Sequence, residues 1–195
     1  MNERYYLLKI QLSGIEPAIW RRFVVPSSIT LDRLHDVIQI VMGWTDSHLH
    51  EFTIGKNRYT EYPESREDGL HCGMYRIGDL IKQKGRSFQY LYDFGDYWEH
   101  ELVLENSRYF DPEQRYEVVC QGGERACPPE DVGGTSGYYD FCNVLKDPTH
   151  EEHETYVMWS GGEYDSERFC VDSVNRMLAC YLRWSRERMR PWIIT

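Results

Sequence analysis

The residues that could do chemistry are concentrated in the segment YDFGDYWEH, residues 92–100. The dipeptide Gly95-Asp96 has the composition of a two-residue hairpin turn, because glycine adopts positive φ without steric cost. Such a turn would make Asp93 and His100 diagonal neighbours on one face of a sheet, about 7–8 Å apart at the backbone. A buried carboxylate and imidazole must satisfy each other or bind something, so this pair is either a structural pair or part of a site.

The same turn predicts the register of the two strands. It pairs Asp93 with Trp98 and Leu91 with His100, and side chains that alternate along a strand then share one face. Leucines continue that face, so we expect it to be buried. The tyrosines and phenylalanines of the first strand would lie on the opposite face.

Two histidines of the segment HLHEF could join the Asp93–His100 pair in a candidate metal site. His48 and His50 would point to one face of a predicted strand and could join His100, with Asp93 and Cys127 as further candidate ligands. Imidazole and carboxylate ligands suit zinc or a similar divalent ion, and three protein ligands plus water would support a metal-dependent hydrolase. The spacing matches no metal signature, and a core histidine bonded to a carbonyl is commoner than a ligand.

The segment CQGGERACPPEDVGG, residues 120–134, is a turn-rich stretch with an acidic centre. Pro128-Pro129 stiffens the backbone ahead of Glu130 and Asp131. A rigid acidic loop of this kind could border a binding cleft, or it could be a structural crossing between sheet and helices. Both interpretations stay open from the sequence.

Composition narrows the class of protein. The chain has 195 residues, 41% of them hydrophobic, and a formal net charge of −10. This length fits a single domain spanning residues 1–195, with C-terminal helices from about residue 136 as a candidate subdomain. The acidity disfavours bulk nucleic-acid binding. The sequence shows no secretory signal and no long apolar run, and its six cysteines form no CxxC pair. These features predict a cytoplasmic protein without a membrane segment.

Basic residues gather at the C-terminus, and they leave a nucleic-acid accessory role as a third hypothesis. The alternative interpretation of these residues is a solvated helix end whose arginines complement the helix dipole. The C-terminal group consists of Arg183, Trp184, Arg186, Arg188, Arg190 and Trp192.

Two further arginines lie in the second predicted strand, where alternation places Arg21 and Arg22 on opposite faces. Arg22 would then stack beside Trp20, or one of the two arginines would pair with an acid of the 128–131 loop.

The order of elements predicts an α+β fold. Periodicity indicates an N-terminal strand–strand–helix unit, with strands over residues 5–12 and 19–25 and a helix from residue 31 to a stop at Gly43. Strands over 48–54, 88–105 and 115–120 follow, then helices capped by Ser136, begun by a capping box at Thr149, and running over 167–186. We therefore expect a mainly antiparallel sheet with the C-terminal helices packed on one side.

Four ordered motifs together resemble a known family. They are IEPAIWRRFVVPSSITLDRLHDVIQIVMGW with HLHEF, YDFGDYWEHELVLE, CQGGERACPPEDVGG and VDSVNRML. From about residue 7 to residue 178 the chain is similar to the plasmid Ri ORF-three-like family (plasmid pRi ORF-3-like domain), also labelled TnpR-like passenger proteins of insertion elements. The resemblance implies an association with plasmids and mobile elements. The TnpR-like label does not imply that this chain is a resolvase, because no nucleophilic serine lies in an arginine-rich setting in its sequence.

The leading hypothesis is a protein that acts by binding an unknown ligand or protein partner. A cofactor is not specified by the sequence beyond the candidate divalent metal. The alternatives are the metal-dependent hydrolase and the nucleic-acid accessory protein. The candidate cleft is lined by His48, His50, Asp93, Trp98, His100, Glu130 and Asp131.

Overall fold

The fold is built on one eight-stranded sheet in the order β5-β4-β3-β6-β7-β1-β2-β8. The computed structural model describes residues 4–113, 117–162 and 164–189, with side chains as far as residue 181. All pairings between neighbouring strands are antiparallel except that of β4 with β5. The strands are β1 Tyr5–Leu12, β2 Trp20–Pro26, β3 His50–Ile54, β4 Asn57–Thr60, β5 Leu70–His71, β6 Ser87–Tyr92, β7 Trp98–Tyr109 and β8 Val119–Glu124.

Five α-helices accompany the sheet in the described part of the chain, which confirms the predicted α+β class. The first follows β2, a second short one precedes β6, and three follow β8. A 3-10 turn at Cys72–Met74 precedes the second helix. The helices are α1 Leu31–Met42, α2 Ile77–Leu80, α3 Gly134–Lys146, α4 His153–Trp159 and α5 Val171–Met189.

The N-terminal strand–strand–helix unit forms as predicted. Every second residue of β1 is buried, which is the alternation of a strand with one face on the core. The apolar stripe of α1, including Leu34 and Ile38, is fully buried. The helix ends at Gly43, whose φ of 111° is a left-handed conformation that glycine adopts without strain.

The predicted register of the central hairpin is wrong by one residue. Tyr92 pairs with Trp98 and Tyr90 pairs with His100, so residues 93–97 form a five-residue connection. The connection is closed by the Tyr97 N–H, which donates to the Asp93 carbonyl at 2.7 Å. Asp93 therefore lies outside the strand ladder.

Side-chain burial explains this register. A shift of one residue exchanges the two faces of a strand, so the choice lies between burying the leucine or burying the aromatic rings of β6. The observed register leaves Leu91 only partly buried and encloses Phe88, Tyr90 and Tyr92 almost completely. Aromatic rings bury more apolar area than a leucine, and this gain outweighs the preference of Gly95-Asp96 for a two-residue turn.

The C-terminal helices form near their predicted places, but their predicted caps are absent. Helix α3 begins at Gly134 after the N-cap Gly133, so Ser136 lies inside it. Helix α4 begins at His153, and the Thr149 hydroxyl donates to Asp147 rather than capping the helix. No helix within the described ranges combines the length and apolar character needed to cross a membrane.

Helix α5 covers the edge strand β8 and joins it to α1. The Asn175 side chain accepts from the Cys120 N–H at 2.8 Å and donates to the Cys120 carbonyl at 3.0 Å. The Tyr181 hydroxyl donates to Asp36 of α1. The side chains of the predicted basic C-terminal group lie outside the described part of the chain.

Arg21 ties three parts of the fold together through backbone carbonyls. It is 1% exposed, and its guanidinium stacks on Phe169 with 4.2 Å from Cζ to the ring centroid. All of its nitrogen atoms donate, which satisfies the buried polar group without a carboxylate partner. The acceptors are the carbonyls of Trp20, Val41, Met42, Glu124 and Arg125.

The neighbouring Arg22 is on the opposite face, as predicted, and it has a different role. Its guanidinium lies 5.4 Å from the Trp20 ring and forms two bonds with Glu105, at 2.6 and 3.0 Å. Neither arginine pairs with an acid of the 128–131 loop, because β7 supplies the partner of Arg22 and carbonyls surround Arg21. The pair offers a matched comparison of a buried and a surface arginine.

We expect Arg21→Met to lower the free energy of unfolding by about 3 kcal/mol or more, because it leaves several buried carbonyl groups without a hydrogen-bond donor. The control Arg22→Met should cost about 1 kcal/mol or less, since it removes a half-exposed ion pair. Urea unfolding followed by circular dichroism measures both. Equal losses in the two variants would show that the carbonyl cage around Arg21 does not support the fold.

Candidate functional site

Four predicted site residues converge at one end of the sheet. The Nε2 atom of His48 lies 3.2 Å from Asp131 Oδ1, 3.7 Å from Asp93 Oδ2 and 3.8 Å from Glu130 Oε2. We call these four residues the acidic cluster. They come from three loops: the segment before β3, the β6–β7 connection and the loop at residues 128–131.

Asp93 is positioned by the five-residue connection. Its N–H donates to the Leu49 carbonyl at 3.0 Å, and its Oδ1 accepts from the Gly95 N–H at 2.8 Å. The backbone φ at Asp93 is 57°, a left-handed conformation that aspartate tolerates better than most residues. One carboxylate oxygen thus closes the turn while Oδ2 faces His48.

Glu130 divides its carboxylate in a similar way. Its Oε1 accepts from the Thr45 N–H at 2.9 Å, the Thr45 hydroxyl at 3.2 Å and the Tyr92 hydroxyl at 3.1 Å. Its Oε2 is buried and has no hydrogen-bond partner, and the same is true of His48 Nε2. Buried polar atoms without a partner are rare, so these two call for an explanation such as a bound ion or water.

The 128–131 loop is fixed against the rest of the site. The Trp44 indole N–H donates to the Pro128 carbonyl at 3.1 Å, and the Gly133 N–H donates to Asp96 Oδ2 at 3.0 Å. At Gly134 a Cβ would lie 2.6 Å from the Asp96 carbonyl oxygen, so only glycine allows this approach. The loop therefore supplies two of the four residues of the cluster, and its interpretation as the border of a binding cleft stays a prediction.

The cluster has the composition of a cation site. One ligand atom each from His48, Asp93 and Asp131 lies within 4.8 Å of the other two. Three carboxylates face a single imidazole, and like charges at this separation repel each other unless a cation lies between them. Imidazole with carboxylates is a ligand set for zinc and related divalent ions.

The other predicted site residues lie in the core, away from this cluster. His100 is fully buried, with Nδ1 3.3 Å from the Tyr90 carbonyl oxygen and Nε2 without a partner. The buried Trp98 indole N–H also has no partner. No ion pair joins Asp93 to His100 among the described residues, so the predicted pairing is wrong; the shifted register turns Asp93 toward His48 instead.

His50 belongs to a histidine stack that the sequence did not reveal. Its ring lies 3.5 Å from that of His35, with 7° between the planes, and both of its nitrogens lack partners. His35 bonds to the Tyr90 hydroxyl at 2.8 Å and to Asp46 at 2.7 Å. His35, Asp36 and Asp46 also come within ligand distance of one another, but both nitrogens of His35 are already in use. The position of His35 next to Leu34, on the buried stripe of α1, was the sequence signal that could have revealed the stack.

Cys127 is not among the residues whose ligand atoms come together in the acidic cluster. It lines a cavity with Arg21 and Phe169, under the start of α5. Burial raises the pKa of its thiol, although Arg21 opposes the shift. The structure thus does not group Cys127 with the candidate histidine ligands.

Burial makes His50 and His100 acid-sensitive elements of the core. It lowers the pKa of each imidazole from 6.5 to about 3, and for His50 the neighbouring His35 adds to the shift. Because the folded state disfavours the charged rings, the unfolded chain binds more protons between these two pKa values. The contribution to stability is complete above about pH 6.5 and is lost as the pH falls toward 3.

We therefore expect the free energy of unfolding to fall between pH 6.5 and 5 with a slope of up to about 1.4 kcal/mol per pH unit for each histidine. Urea titrations at closely spaced pH values measure the slope. His100→Leu should remove about half of it, and the exposed His150→Gln should leave it unchanged. A midpoint that stays constant over this interval would rule out two buried neutral rings.

The fold and the site define an α+β protein with a histidine–carboxylate cluster at one end of its sheet. Residues 4–173 match the family described as plasmid pRiA4b ORF-3-like protein, and the chain belongs to that family. The chain is 38% identical over 187 residues to the uncharacterized protein y4hQ of Sinorhizobium fredii, covering 94% of this chain and 95% of that protein.

A solved structure shares the fold. The crystal structure of MM3350, a protein of unknown function from Methanosarcina mazei Go1, is similar with a TM-score of 0.78 and 36% identity. The similarity covers 88% of this chain and 98% of that one. Neither relative's name states an activity.

Proposed function

We propose that this protein binds a divalent metal cation at the acidic cluster. His48, Asp93 and Asp131 supply one ligand each, and Glu130 borders the ion with its free oxygen. The observation that carries the proposal is the buried Nε2 of His48, which makes no hydrogen bond although carboxylate oxygens of three residues surround it at 3.2–3.8 Å. A cation at their centre would satisfy the nitrogen and neutralise the repulsion between the acids.

Distances favour a small ion such as zinc. Ligand atoms about 2.1 Å from a tetrahedral zinc ion lie about 3.4 Å from one another. The Nε2 atom of His48 is 3.2 Å from Asp131 and 3.7 Å from Asp93, which differs from that spacing by a few tenths of an ångström. A ligand set of one imidazole and two carboxylates also fits manganese or iron, while calcium prefers oxygen ligands alone.

We expect metal-stripped protein to bind one equivalent of Zn²⁺ in isothermal titration calorimetry. His48→Ala and Asp93→Asn should each weaken the affinity at least about tenfold, because each removes one of three ligands. The control His71→Gln removes an exposed histidine at the end of β5 and should leave the affinity for Zn²⁺ unchanged. Equal dissociation constants in wild type and His48→Ala would contradict the site.

The metal-free chain provides an independent readout. Asp131 has a 71% exposed side chain and faces the other acids, so Asp131→Asn relieves repulsion when no ion is present. The melting temperature of the stripped variant should equal or exceed that of the stripped wild type, whereas added Zn²⁺ should stabilise the wild type more. A stripped variant that melts lower than the stripped wild type would contradict repulsion between Asp131 and the other acids.

A metal-dependent hydrolase is the second candidate, and Glu130 favours it. Three protein ligands leave a coordination position for water, and the unpartnered Oε2 of Glu130 could accept a proton from that water. Release of p-nitrophenol from p-nitrophenyl acetate should then depend on Zn²⁺ and fall at least about a hundredfold in Glu130→Gln. A rate unaffected by Zn²⁺ or by the substitution would leave binding as the function.

The proposal includes a reducing, cytoplasmic setting. All six cysteines are free thiols, and Cys72 and Cys120 are buried as small hydrophobic groups. Such a chain gains nothing from an oxidising compartment. An association with mobile elements is part of the same proposal; the family description itself names a plasmid.

A further inference from the structure

Two side chains of β7 carry buried polar atoms that lack a hydrogen-bond partner. Trp98 is 1% exposed and His100 is fully buried, and they are alternate residues on the buried side of the strand. Within the described ranges, neither the Trp98 indole Nε1 nor the His100 imidazole Nε2 is hydrogen-bonded. Buried polar groups are almost always paired, so two unpaired atoms on neighbouring side chains indicate a bound molecule.

The hydrogen-bond roles of the two atoms are opposite. The indole nitrogen always carries a hydrogen and can only donate. His100 Nδ1 lies 3.3 Å from the Tyr90 carbonyl oxygen, which can only accept, so the hydrogen of the neutral ring is on Nδ1. Burial keeps the ring neutral, because it lowers the pKa of His100 from 6.5 to about 3. The Nε2 atom of His100 is therefore an acceptor that faces no donor.

The spacing of the two residues suits a ligand with one polar atom. Alternate residues of a strand project to the same side and lie about 6.6–6.8 Å apart along it. One oxygen atom with two hydrogen bonds of about 2.9 Å joins nitrogen atoms up to about 5.8 Å apart. The difference is small compared with the length of either side chain.

A third ring lies against both side chains. The centroid of the Trp44 ring is 6.1 Å from that of Trp98 and 5.1 Å from that of His100. The two unpaired atoms thus belong to one aromatic cluster. His50, whose ring nitrogens are also unpaired, lies on β3 beyond β6 and is too distant to share a ligand of this size.

The donor–acceptor pair restricts the chemistry of the ligand. A metal cation cannot accept the indole hydrogen. An anion without a hydrogen of its own cannot donate to His100 Nε2, and burying its charge would be costly. A neutral hydroxyl group both accepts and donates, and water is the smallest molecule that has one. Buried water with two to four such bonds is a regular part of globular proteins.

We propose that one water molecule is bound in the core between Trp98 and His100. The water accepts a hydrogen bond from the Trp98 indole N–H and donates one to His100 Nε2. The bridge holds the His100 ring in its orientation and in its Nδ1–H tautomer. This site lies within the core and does not depend on the proposed cation site.

A high-resolution crystal structure of the full chain tests the bridge directly. We expect a single density peak about 2.9 Å from both Trp98 Nε1 and His100 Nε2. A peak within bonding distance of only one of these atoms, no peak at all, or a direct hydrogen bond between the two nitrogens would overturn the proposal.

NMR spectroscopy of the ¹⁵N-labelled full chain provides a second test in solution. A water that stays bound while the protein tumbles gives nuclear Overhauser cross peaks of opposite sign in the laboratory and rotating frames. The Trp98 indole proton should show this pattern at the water frequency. The control is the Trp44 indole proton, which should not show it, because that N–H donates to the Pro128 carbonyl at 3.1 Å.

The same sample tests the hydrogen-bond roles. We expect the His100 spectrum to show a hydrogen on Nδ1 and none on Nε2, and a hydrogen on Nε2 would overturn the proposal. His100→Phe removes the acceptor and should abolish the Trp98 cross peak with water, so a cross peak that persists would also overturn it. If this variant does not fold, the wild-type spectra and crystal structure decide.

Discussion

Burial of the aromatic rings of β6 is the constraint on which the site depends. Tyr90 and Tyr92 are fully buried, and their burial sets the pairing of β6 with β7. That pairing ends the ladder at Tyr92 and leaves residues 93–97 to cross between the strands. The crossing places Asp93 outside the sheet, where its carboxylate faces His48. A packing preference deep in the core thus decides which groups meet at the surface.

In Asp93 and Glu130, one carboxylate oxygen forms hydrogen bonds that hold the loop and the other does not. Asp93 uses Oδ1 and Glu130 uses Oε1 to hold their own loops, through bonds to Gly95, Thr45 and Tyr92. The remaining oxygen of each acid lies near His48. Because the fixed oxygen orients the free one, the cluster is organised before any ligand arrives, and a ligand need not pay the full cost of ordering it.

The sequence predicted the larger features well, because strand alternation and helical periodicity depend on residues that are only two to four positions apart in the chain. It predicted β1, β2 and α1, and it placed Arg21 and Arg22 on opposite faces. It also selected His48, Asp93, Glu130 and Asp131, which do converge. It failed to pair them correctly, since Asp93 meets His48 rather than His100. The strand register follows a competition between buried rings and turn residues, and local pattern does not measure that competition. The His35–His50 stack depends on contact between α1 and β3, which spacing alone cannot show.

The bonds between Asn175 and Cys120 have a consequence for assembly. They occupy backbone groups of β8 that a strand from another molecule would need, and α5 lies across that edge. At the opposite edge β5 has only two residues, too few to template a further strand. Within the described ranges, neither border of the sheet therefore offers a long run of free backbone groups for pairing between copies. Copies that associate would then do so through side-chain contacts rather than by extending the sheet.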